Sequence, residues 1–226
     1  MANCNSCVGK GTTTCTTCNG SGNYKALFGL VKRVCSACKG SGNLPCAACG
    51  GTGQKKTDPK LDLPLLQAVK SGNASDVSGL LKRGANPDAE QFGGLTPLMI
   101  AAEKGHEEIV NLLIEYGANV HARTVKTRLT NEGPNALMRA CDGGHYAIVS
   151  RLIAAGSDVN VTNGKMETPL VWAVRGNHAE IVDLLLANSA RPAAFDDWSR
   201  PVLKIAIEKG NDRIVSALRK AGAPEE

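Results

Sequence analysis

A spacing of about 33 residues recurs beyond position 60 and constrains the fold more than any other feature of the chain. It is marked by five alanines, namely Ala68, Ala101, Ala140, Ala173 and Ala206. The intervals between them are equal, except that the second is longer. A leucine stands three residues before each alanine, and a glycine or asparagine stands four residues after it. Self-similarity at this period is typical of stacked repeat architectures, in which each unit contacts only its neighbours.

The repeated unit predicts two helices joined by tight turns. The first helix is short and alanine-rich, and the second carries apolar pairs such as Ile109-Val110 and Leu112-Leu113. Asn177 replaces the glycine after the fourth alanine and supports the register, because asparagine tolerates a positive φ. A second turn is predicted twelve residues further along, at Gly84, Gly117, Gly156, Ser189 and Gly222. Each unit leaves one apolar side uncovered, so the five units must stack into one core.

The second repeat resembles the ankyrin-repeat family most closely. It contains Gly94-Leu-Thr-Pro-Leu98, Ala101-Ala102, Gly105-His106 and Gly117-Ala-Asn-Val120. The resemblance covers about residues 61–224 and implies a mainly α solenoid of five helix-turn-helix repeats, with β-hairpin fingertips and a concave protein-binding face. The repeats are placed at about 61–90, 91–123, 130–162, 163–195 and 196–226.

A six-residue insertion precedes the third repeat, within residues 123–133. Insertions in solenoids fall in loops on one face, so this one should lengthen a fingertip. It carries Arg123, Lys126 and Arg128, which either contact a partner or belong to a tolerated loop.

Two aromatic side chains, Phe92 and Trp198, are also placed at fingertips. Exposed aromatic residues are common hot spots of protein interfaces. The alternative for Trp198 is that it caps the end of the stack, and Phe92 has the same two interpretations.

Other distinctive side chains are predicted to be structural. Buried packing is predicted for Met99, Met138, Cys141 and Trp172. Turn-stabilising hydrogen bonds are predicted for His106, His145 and His178.

The first part of the chain contains the pattern Cys-x-x-Cys-x-Gly-x-Gly four times, at Cys4–Gly11, Cys15–Gly22, Cys35–Gly42 and Cys46–Gly53. Two thiolates at this spacing can hold one metal ion, and tetrahedral Zn²⁺ needs four ligands, so four motifs predict two zinc sites. The first two motifs start as far apart as the last two do, and the middle interval is longer. This symmetry suggests a nested hairpin around a central loop, Asn23–Val34, with Gly29 near its tip. Spacing alone leaves open whether outer and inner motifs pair or neighbours do.

These motifs resemble the cysteine-rich zinc finger of DnaJ-type co-chaperones, in particular stand-alone plant DnaJ-like zinc-finger proteins. The resemblance implies one zinc site of Cys4, Cys7, Cys46 and Cys49, and a second of Cys15, Cys18, Cys35 and Cys38. The chain contains no His-Pro-Asp tripeptide and no J-domain before the finger. The ATPase-stimulating activity of a full co-chaperone is therefore not expected.

Three roles compete for this small β-hairpin two-zinc finger. Zinc could simply fold an interaction surface, because a segment this short, with few large apolar residues, would hardly fold without metal. A surface for unfolded or assembling clients would use the apolar loop, with Leu27, Phe28 and Leu30. Thiol–disulfide exchange through a Cys-x-x-Cys pair is the third role, and bound zinc would suppress it.

Charge argues against nucleic acid as a partner. The formal net charge is +5, and residues 1–58 alone carry +6. Eight thiolates and two Zn²⁺ ions would bring that segment to about +2, because the ions' own charges must be counted. Aromatic content is 4%, which leaves few side chains for stacking on bases.

Hydropathy and the start of the chain predict where it works. No apolar run approaches the ~18 residues of a membrane helix. The sequence runs from Met1 into Cys4 with no leader, so we expect a protein of a reducing compartment, cytoplasmic or nuclear. We also expect a monomer without membrane partners.

The sequence as a whole predicts a zinc-binding adaptor rather than an enzyme, since it contains no phosphate loop, H-E-x-x-H or G-x-S-x-G motif. The finger is placed at residues 1–53, a linker at 54–60 and the ankyrin-repeat domain at 61–226. The stack would recognise a protein partner, and the finger would supply a second surface, chaperone-like if it holds clients. The alternative function is a zinc-regulated thiol–disulfide oxidoreductase.

Overall fold

The structure is a computed structural model that describes residues 12–14, 23–25, 32–34, 43–45, 57–124 and 133–225. The chain divides into two units, Met1–Asp58 and Pro59–Glu226, each of which is described by itself. Several residues singled out from the sequence lie outside the described residues, namely the eight motif cysteines, Leu27, Phe28, Leu30, Lys126 and Arg128.

Four short strands form two antiparallel ladders in the first unit. They are β1 (Thr12–Thr14), β2 (Asn23–Lys25), β3 (Lys32–Val34) and β4 (Asn43–Pro45). Strand β1 pairs with β4, from Thr12 opposite Pro45 to Thr14 opposite Asn43. Strand β2 pairs with β3, from Asn23 opposite Val34 to Lys25 opposite Lys32. In chain order the β2–β3 pair therefore lies inside the β1–β4 pair.

Ten α-helices lie within residues 57–124 and 133–225, after a 3₁₀ turn at Pro59–Leu61. The first helices of the five pairs are α1 (Asp62–Ser71), α3 (Pro97–Lys104), α5 (Ala136–Asp142), α7 (Pro169–Arg175) and α9 (Val202–Lys209). The second helices are α2 (Ala74–Lys82), α4 (Glu107–Glu115), α6 (Tyr146–Ala154), α8 (Ala179–Ala187) and α10 (Asp212–Lys220).

The helices form two layers. Each first helix packs against the first helix of the next pair, and each second helix does the same. The recurring leucines fill the space between pairs with at most 1% of their surface exposed, namely Leu65, Leu98, Leu137, Leu170 and Leu203. The anchor alanines beside them are buried as well, so neighbouring helices approach closely. The predicted ankyrin solenoid is confirmed.

Two of the five first helices, α3 and α5, begin at capping residues whose side chains satisfy a free backbone N–H. Thr96 accepts a hydrogen bond from the Met99 amide at 3.4 Å, and Asn135 accepts one from the Met138 amide at 3.0 Å. Asparagine is as good a helix cap as threonine. The third repeat therefore keeps its helix start although it lacks the Thr-Pro-Leu sequence.

The turns after the helices adopt the left-handed conformation at the positions that the repeat pattern marks. Asn177 has a φ of 62° and Ser189 a φ of 66°, the two sites where the sequence lacks glycine. The predicted register of the turns is confirmed at both.

The recurring histidines join consecutive repeats. His145 Nε2 donates to the Glu103 carbonyl at 3.2 Å, and His178 Nε2 donates to the Asp142 carbonyl at 2.9 Å. The predicted hydrogen bonds are confirmed for these two. The His106 ring packs over Gly72 in the same way, but its Nε2 has no partner within the described part of the chain, so the prediction is wrong there.

Gly144 is required by the ring that packs over it. It has a φ of 75°, and a Cβ atom there would lie 2.5 Å from His178 Cε1. Gly210 also has a positive φ, but a Cβ atom there would meet nothing within 4 Å. We expect Gly210→Ala to lower the free energy of unfolding by about 1–2 kcal/mol, the cost of left-handed backbone. Gly144→Ala should cost clearly more in urea unfolding, and equal costs would contradict a role for the histidine contact.

Two further predictions concern buried side chains. Met99, Met138 and Cys141 are fully buried, as predicted. Burial, aided by the nearby Asp142 carboxylate, raises the pKa of the Cys141 thiol, so this cysteine is a packing residue and a poor nucleophile. Trp172 is only half-buried, so its prediction as a core residue holds for one face of the indole.

Candidate functional site

Hairpin tips project from the stack between consecutive repeats. Backbone hydrogen bonds close them, from Gln91 N to Leu95 O at 2.9 Å, from Asn163 N to Glu167 O at 3.0 Å, and from Asp196 N to Arg200 O at 3.1 Å. Each of these tips carries one largely exposed apolar side chain, namely Phe92, Met166 and Trp198. Trp198 is 69% exposed, so it does not cap the end of the stack.

The insertion before the third repeat leaves from a closed base. Gly133 N donates to Thr124 O at 2.8 Å, and Thr124 N donates to Pro134 O at 3.3 Å. Arg123 holds this base to the next tip, because its guanidinium donates to Gly133 O at 3.4 Å and also to Thr162 O. Arg123 therefore has a structural role, and the predicted partner contact by the insertion stays a prediction.

A cavity of about 200 Å³ lies between the base of the insertion and the Asn163–Glu167 tip. Its floor is formed by Trp172 and Arg175, from α7. The complete lining is Gly133, Pro134, Asn163, Gly164, Lys165, Glu167, Trp172 and Arg175. The half-burial of Trp172 is consistent with this position, because the residue packs against the core and also lines the cavity.

A buried carboxylate fixes one wall of this cavity. Glu167 is 1% exposed, and it accepts hydrogen bonds from Asn163 Nδ2 at 2.8 Å and from the Arg175 guanidinium. The Asn163 side-chain oxygen in turn accepts hydrogen bonds from the backbone amides of Lys165 at 2.9 Å and Glu167 at 3.0 Å. These bonds lock the tip and hold Arg175 in place, since a buried carboxylate needs its partners.

A second, more open cavity of about 500 Å³ lies beside the next tip. It is lined by Arg175, Trp198, Arg200, Ile205, Glu208 and Lys209. Because Arg175 lines both cavities, we treat them together as the tryptophan groove, defined by the residues that line either cavity.

An arginine stacks on each tryptophan of the tryptophan groove. The Arg200 guanidinium carbon lies 5.1 Å from the Trp198 ring centroid, and that of Arg175 lies 6.0 Å from the Trp172 centroid. Both distances are within the range of cation–π attraction. Each arginine also pairs with a buried acid, Arg200 with Asp196 at 2.8 Å and Arg175 with Glu167.

The carboxyl groups of the last tip titrate below their ordinary range. Burial alone would raise the pKa of Asp196, but hydrogen bonds from the Arg200 amide and guanidinium and from the Trp198 amide lower it overall. The hydrogen bond from Lys165 lowers the pKa of Asp197, and the pKa of Lys165 rises in return. The last tip is therefore ionised at neutral pH and joined to the preceding tip by charge.

Replacing Asp196 by asparagine should destabilise the stack more at neutral pH than in acid. The folded-state pKa of Asp196 is depressed, so its stabilisation is present above the unfolded pKa of about 3.9 and is lost as pH falls through the folded value. We expect Asp196→Asn to cost about 1.5–3 kcal/mol at pH 7, the scale of hydrogen bonds to a charged group. Urea unfolding at pH 7 and near pH 3.5 measures the difference, and a cost independent of pH would contradict the assignment.

Sequence reasoning missed most of the tryptophan groove. It singled out Trp198, but it gave no role to Arg175 or Arg200 and placed Trp172 in the core. One signal was available, because each tryptophan is followed by an arginine two or three residues later. Phe92, the other aromatic candidate, lies on a different tip and outside the linings of both cavities.

The described residues were compared with the requirements of a metal site and of a membrane span. Within the described ranges, no group of three or more His, Cys, Asp or Glu side chains could hold a metal ion. None of the helices in those ranges is long and apolar enough to span a membrane.

These features define the class of protein, which is a repeat solenoid of stacked helix pairs with hairpin tips and a groove. Repeat proteins use this architecture for binding. The family model described as "Ankyrin repeats (3 copies)" matches residues 65–163 and 137–224. The chain therefore belongs to the ankyrin-repeat family, and ankyrin repeats imply a role in protein–protein interaction.

The relatives that the chain resembles carry names of different kinds. Over 151 residues, 67% of this chain, it is 37% identical to the ankyrin repeat and KH domain-containing protein mask-1 of Caenorhabditis elegans. Over 159 residues, 70% of this chain, it is 29% identical to the human transient receptor potential cation channel subfamily A member 1. Over 63 residues, 27% of this chain, it is 43% identical to the mouse 2-5A-dependent ribonuclease. The matches span only 6%, 11% and 9% of those relatives, so the activities in their names do not carry over.

Proposed function

We propose that the chain is a non-enzymatic, zinc-binding adaptor that binds a protein partner through the tryptophan groove of its ankyrin stack. The observation that carries this proposal is the pairing of Trp198 with Arg200 beside an open cavity. Tryptophan and arginine are enriched among interface hot spots, and a stacked, ion-paired arginine loses little further freedom on binding. The adaptor is proposed to act as a monomer in the cytoplasm or nucleus.

Cross-linking to proteins from the source cells tests the adaptor role. The full chain is immobilised, mixed with these proteins and treated with a short cross-linker. The cross-linked residues of this chain should fall within residues 59–225. Trp198→Ala should reduce the yield of cross-linked adducts, and Phe92→Ala serves as the matched control, because it removes an exposed aromatic from another tip. Adducts confined to residues 1–58, or none at all, would overturn the proposal.

The proposal includes two Zn²⁺ ions in the first unit, held by the eight motif cysteines. The donor chemistry supports this, because thiolates are the ligands that structural zinc sites use. The ligand sets would be Cys4, Cys7, Cys46 and Cys49 in one site, and Cys15, Cys18, Cys35 and Cys38 in the other. Zinc would be structural here and would fix the fold of a segment too small to hold itself together.

Strand register supports this pairing of motifs over the pairing of neighbours. Thr14, at the end of β1, lies opposite Asn43, at the start of β4. The second motif begins directly after β1 and the third ends directly before β4, so the inner two motifs adjoin the same end of the ladder. The first and fourth motifs adjoin its other end, where Thr12 lies opposite Pro45.

The first unit is also proposed to offer a second, client-binding surface on the loop that carries Leu27, Phe28 and Leu30. The full chain should then suppress aggregation of a chemically denatured client enzyme, followed by light scattering. A variant with all three residues changed to serine should lose this effect while keeping its zinc. Equal suppression by both proteins would limit the first unit to a structural role.

An insulin-reduction assay separates the adaptor from the oxidoreductase alternative. The adaptor should be inert both with zinc and after metal removal under reducing conditions. Activity that appears on metal removal and disappears after Cys-to-Ser changes would favour the oxidoreductase instead.

A further inference from the structure

The two arginines of the tryptophan groove are more exposed than the carboxylates of Glu167 and Asp196 that pair with them. The side chains of Arg175 and Arg200 are each 35% exposed, whereas those of their partners Glu167 and Asp196 are 2% and 0% exposed. On the outer side, Arg200 also pairs with Glu208 at 2.9 Å, and Arg175 lies 3.9 Å from Asp197. The buried carboxylates fix the two guanidinium groups in position, and part of each group stays open to solvent.

Two lysines extend this positive surface. Lys209 lines the larger cavity, and Lys165 lines the smaller one, where its ammonium group pairs with Asp197 while 48% of its side chain stays exposed. A cationic surface held in a fixed geometry is complementary to carboxylates, which arginine binds with two parallel hydrogen bonds. Glu208, 46% exposed on the rim, is the one solvent-exposed carboxylate among the lining residues of the two cavities.

Apolar surface adjoins these cations in both cavities. The exposed indole of Trp198 forms a wall of the open cavity, and Ile205 lies in its lining. Trp172 and Pro134 line the cavity of about 200 Å³, a space that suits one large side chain rather than a whole domain. Anchoring of one side chain in a pocket, surrounded by weaker contacts, is how interface hot spots work.

The exposed Glu208 decides between two kinds of partner. An acidic residue on the rim repels the continuous phosphate chain of a nucleic acid, whose binding depends on neutralising many phosphates. A peptide can place its own carboxylate beside Arg175 or Lys209 and leave Glu208 next to a neutral position. The alternating charges of the lining favour a peptide.

We propose that the tryptophan groove binds a linear peptide segment of the partner protein in which an aspartate or glutamate lies close to an aromatic or large aliphatic residue. The apolar side chain enters the smaller cavity beside Trp172 or packs on Trp198, and the carboxylate is bound by the cations around Arg175. This inference rests on the proposed adaptor function and specifies the partner of the same site.

The repeats supply matched controls for each part of this proposal. Lys104 and Lys209 are equivalent, since each ends the first helix of its repeat and follows a glutamate. Phe92 and Trp198 are both exposed aromatic residues at hairpin tips. The tip from Gln91 to Leu95 contains no charged residue, so it should not bind an acidic peptide.

Panning a random linear peptide library on the full chain tests the inference. Enriched peptides should combine Asp or Glu with an aromatic or large aliphatic residue. For the best synthetic peptide, Trp198→Ala should raise the Kd about 30-fold, the effect of a hot-spot tryptophan. Lys209→Glu should raise it about tenfold and weaken its salt dependence. Phe92→Ala and Lys104→Glu should leave it unchanged, and circular dichroism should show that all four variants stay folded.

Three outcomes would overturn the inference. The first is enrichment of peptides without a carboxylate, or of none. The second is that Phe92→Ala or Lys104→Glu raises the Kd of the peptide as much as the groove variants do. The adaptor role would then still stand if cross-links to a partner fall within residues 59–225. The third is displacement of the peptide by a single-stranded RNA oligonucleotide that binds more tightly, which would assign the groove to nucleic acid.

Discussion

Removing zinc with a strong chelator should unfold residues 1–58 and leave the helical stack intact. Structural zinc contributes about 10–16 kcal/mol to the folding of small zinc domains at neutral pH. Freshly purified, reduced protein should contain about two zinc ions per chain by elemental analysis. After chelation, amides of the paired strands should lose protection from hydrogen exchange, whereas those of helices α1 to α10 should keep it.

The two sites can be told apart by substitution. If the outer and inner motifs pair, Cys4→Ser and Cys46→Ser should each disturb the same ion, and the double variant should retain one zinc per chain. Cys4→Ser with Cys15→Ser should disturb both ions under this pairing but only one if neighbouring motifs pair. Protein that contains no zinc, or strands that stay protected after chelation, would contradict the metal sites altogether.

Replacing Arg175 by alanine should lower the free energy of unfolding by about 2–3 kcal/mol, because it leaves the Glu167 carboxylate buried without its cation. Glu167 is 1% exposed, and Asn163 alone would then satisfy it. Solvent reaches the outer part of Arg175, so the expected cost is below that of a fully buried pair. Urea unfolding of the full chain, followed by helical circular dichroism, measures it.

A double-mutant cycle identifies the cause. Arg175→Ala combined with Glu167→Gln should recover much of the loss, since no buried charge then remains. Arg139→Ala is the matched control: Arg139 pairs with Glu103, which is 55% exposed, so its loss should cost no more than about 1 kcal/mol. Additive effects of the two changes at positions 167 and 175 would show that packing, not charge, accounts for the cost.

The geometry of the repeats was predictable from sequence because it depends on a few recurring positions. Each of these needs a small side chain, an apolar side chain or a left-handed backbone conformation. The regular period placed the leucines of the core, and Asn177 marked a turn that lacks glycine. These requirements are local or involve only the next repeat. The zinc finger was predicted from equally regular motifs, but its cysteines lie outside the described residues, so it stays a prediction.

The tryptophan groove was not predictable in the same way. Its contacts join residues that are far apart in sequence, such as Lys165 with Asp197. Such pairs depend on how neighbouring tips are spaced and on side-chain rotamers, which no period in the sequence specifies. Trp172 illustrates the limit, because a residue beside an anchor alanine is usually enclosed, yet here the cavity beside Pro134 leaves one edge accessible.

The closed base of the insertion has a consequence for how this protein can evolve. Thr124 and Gly133 are hydrogen-bonded across the start of the insertion, and the spacing of the repeats on either side is undisturbed. Changes in the length or composition of the segment beyond that base therefore need not be transmitted to the helices. Selection can therefore alter this insertion without changing the packing of the helices on either side of it.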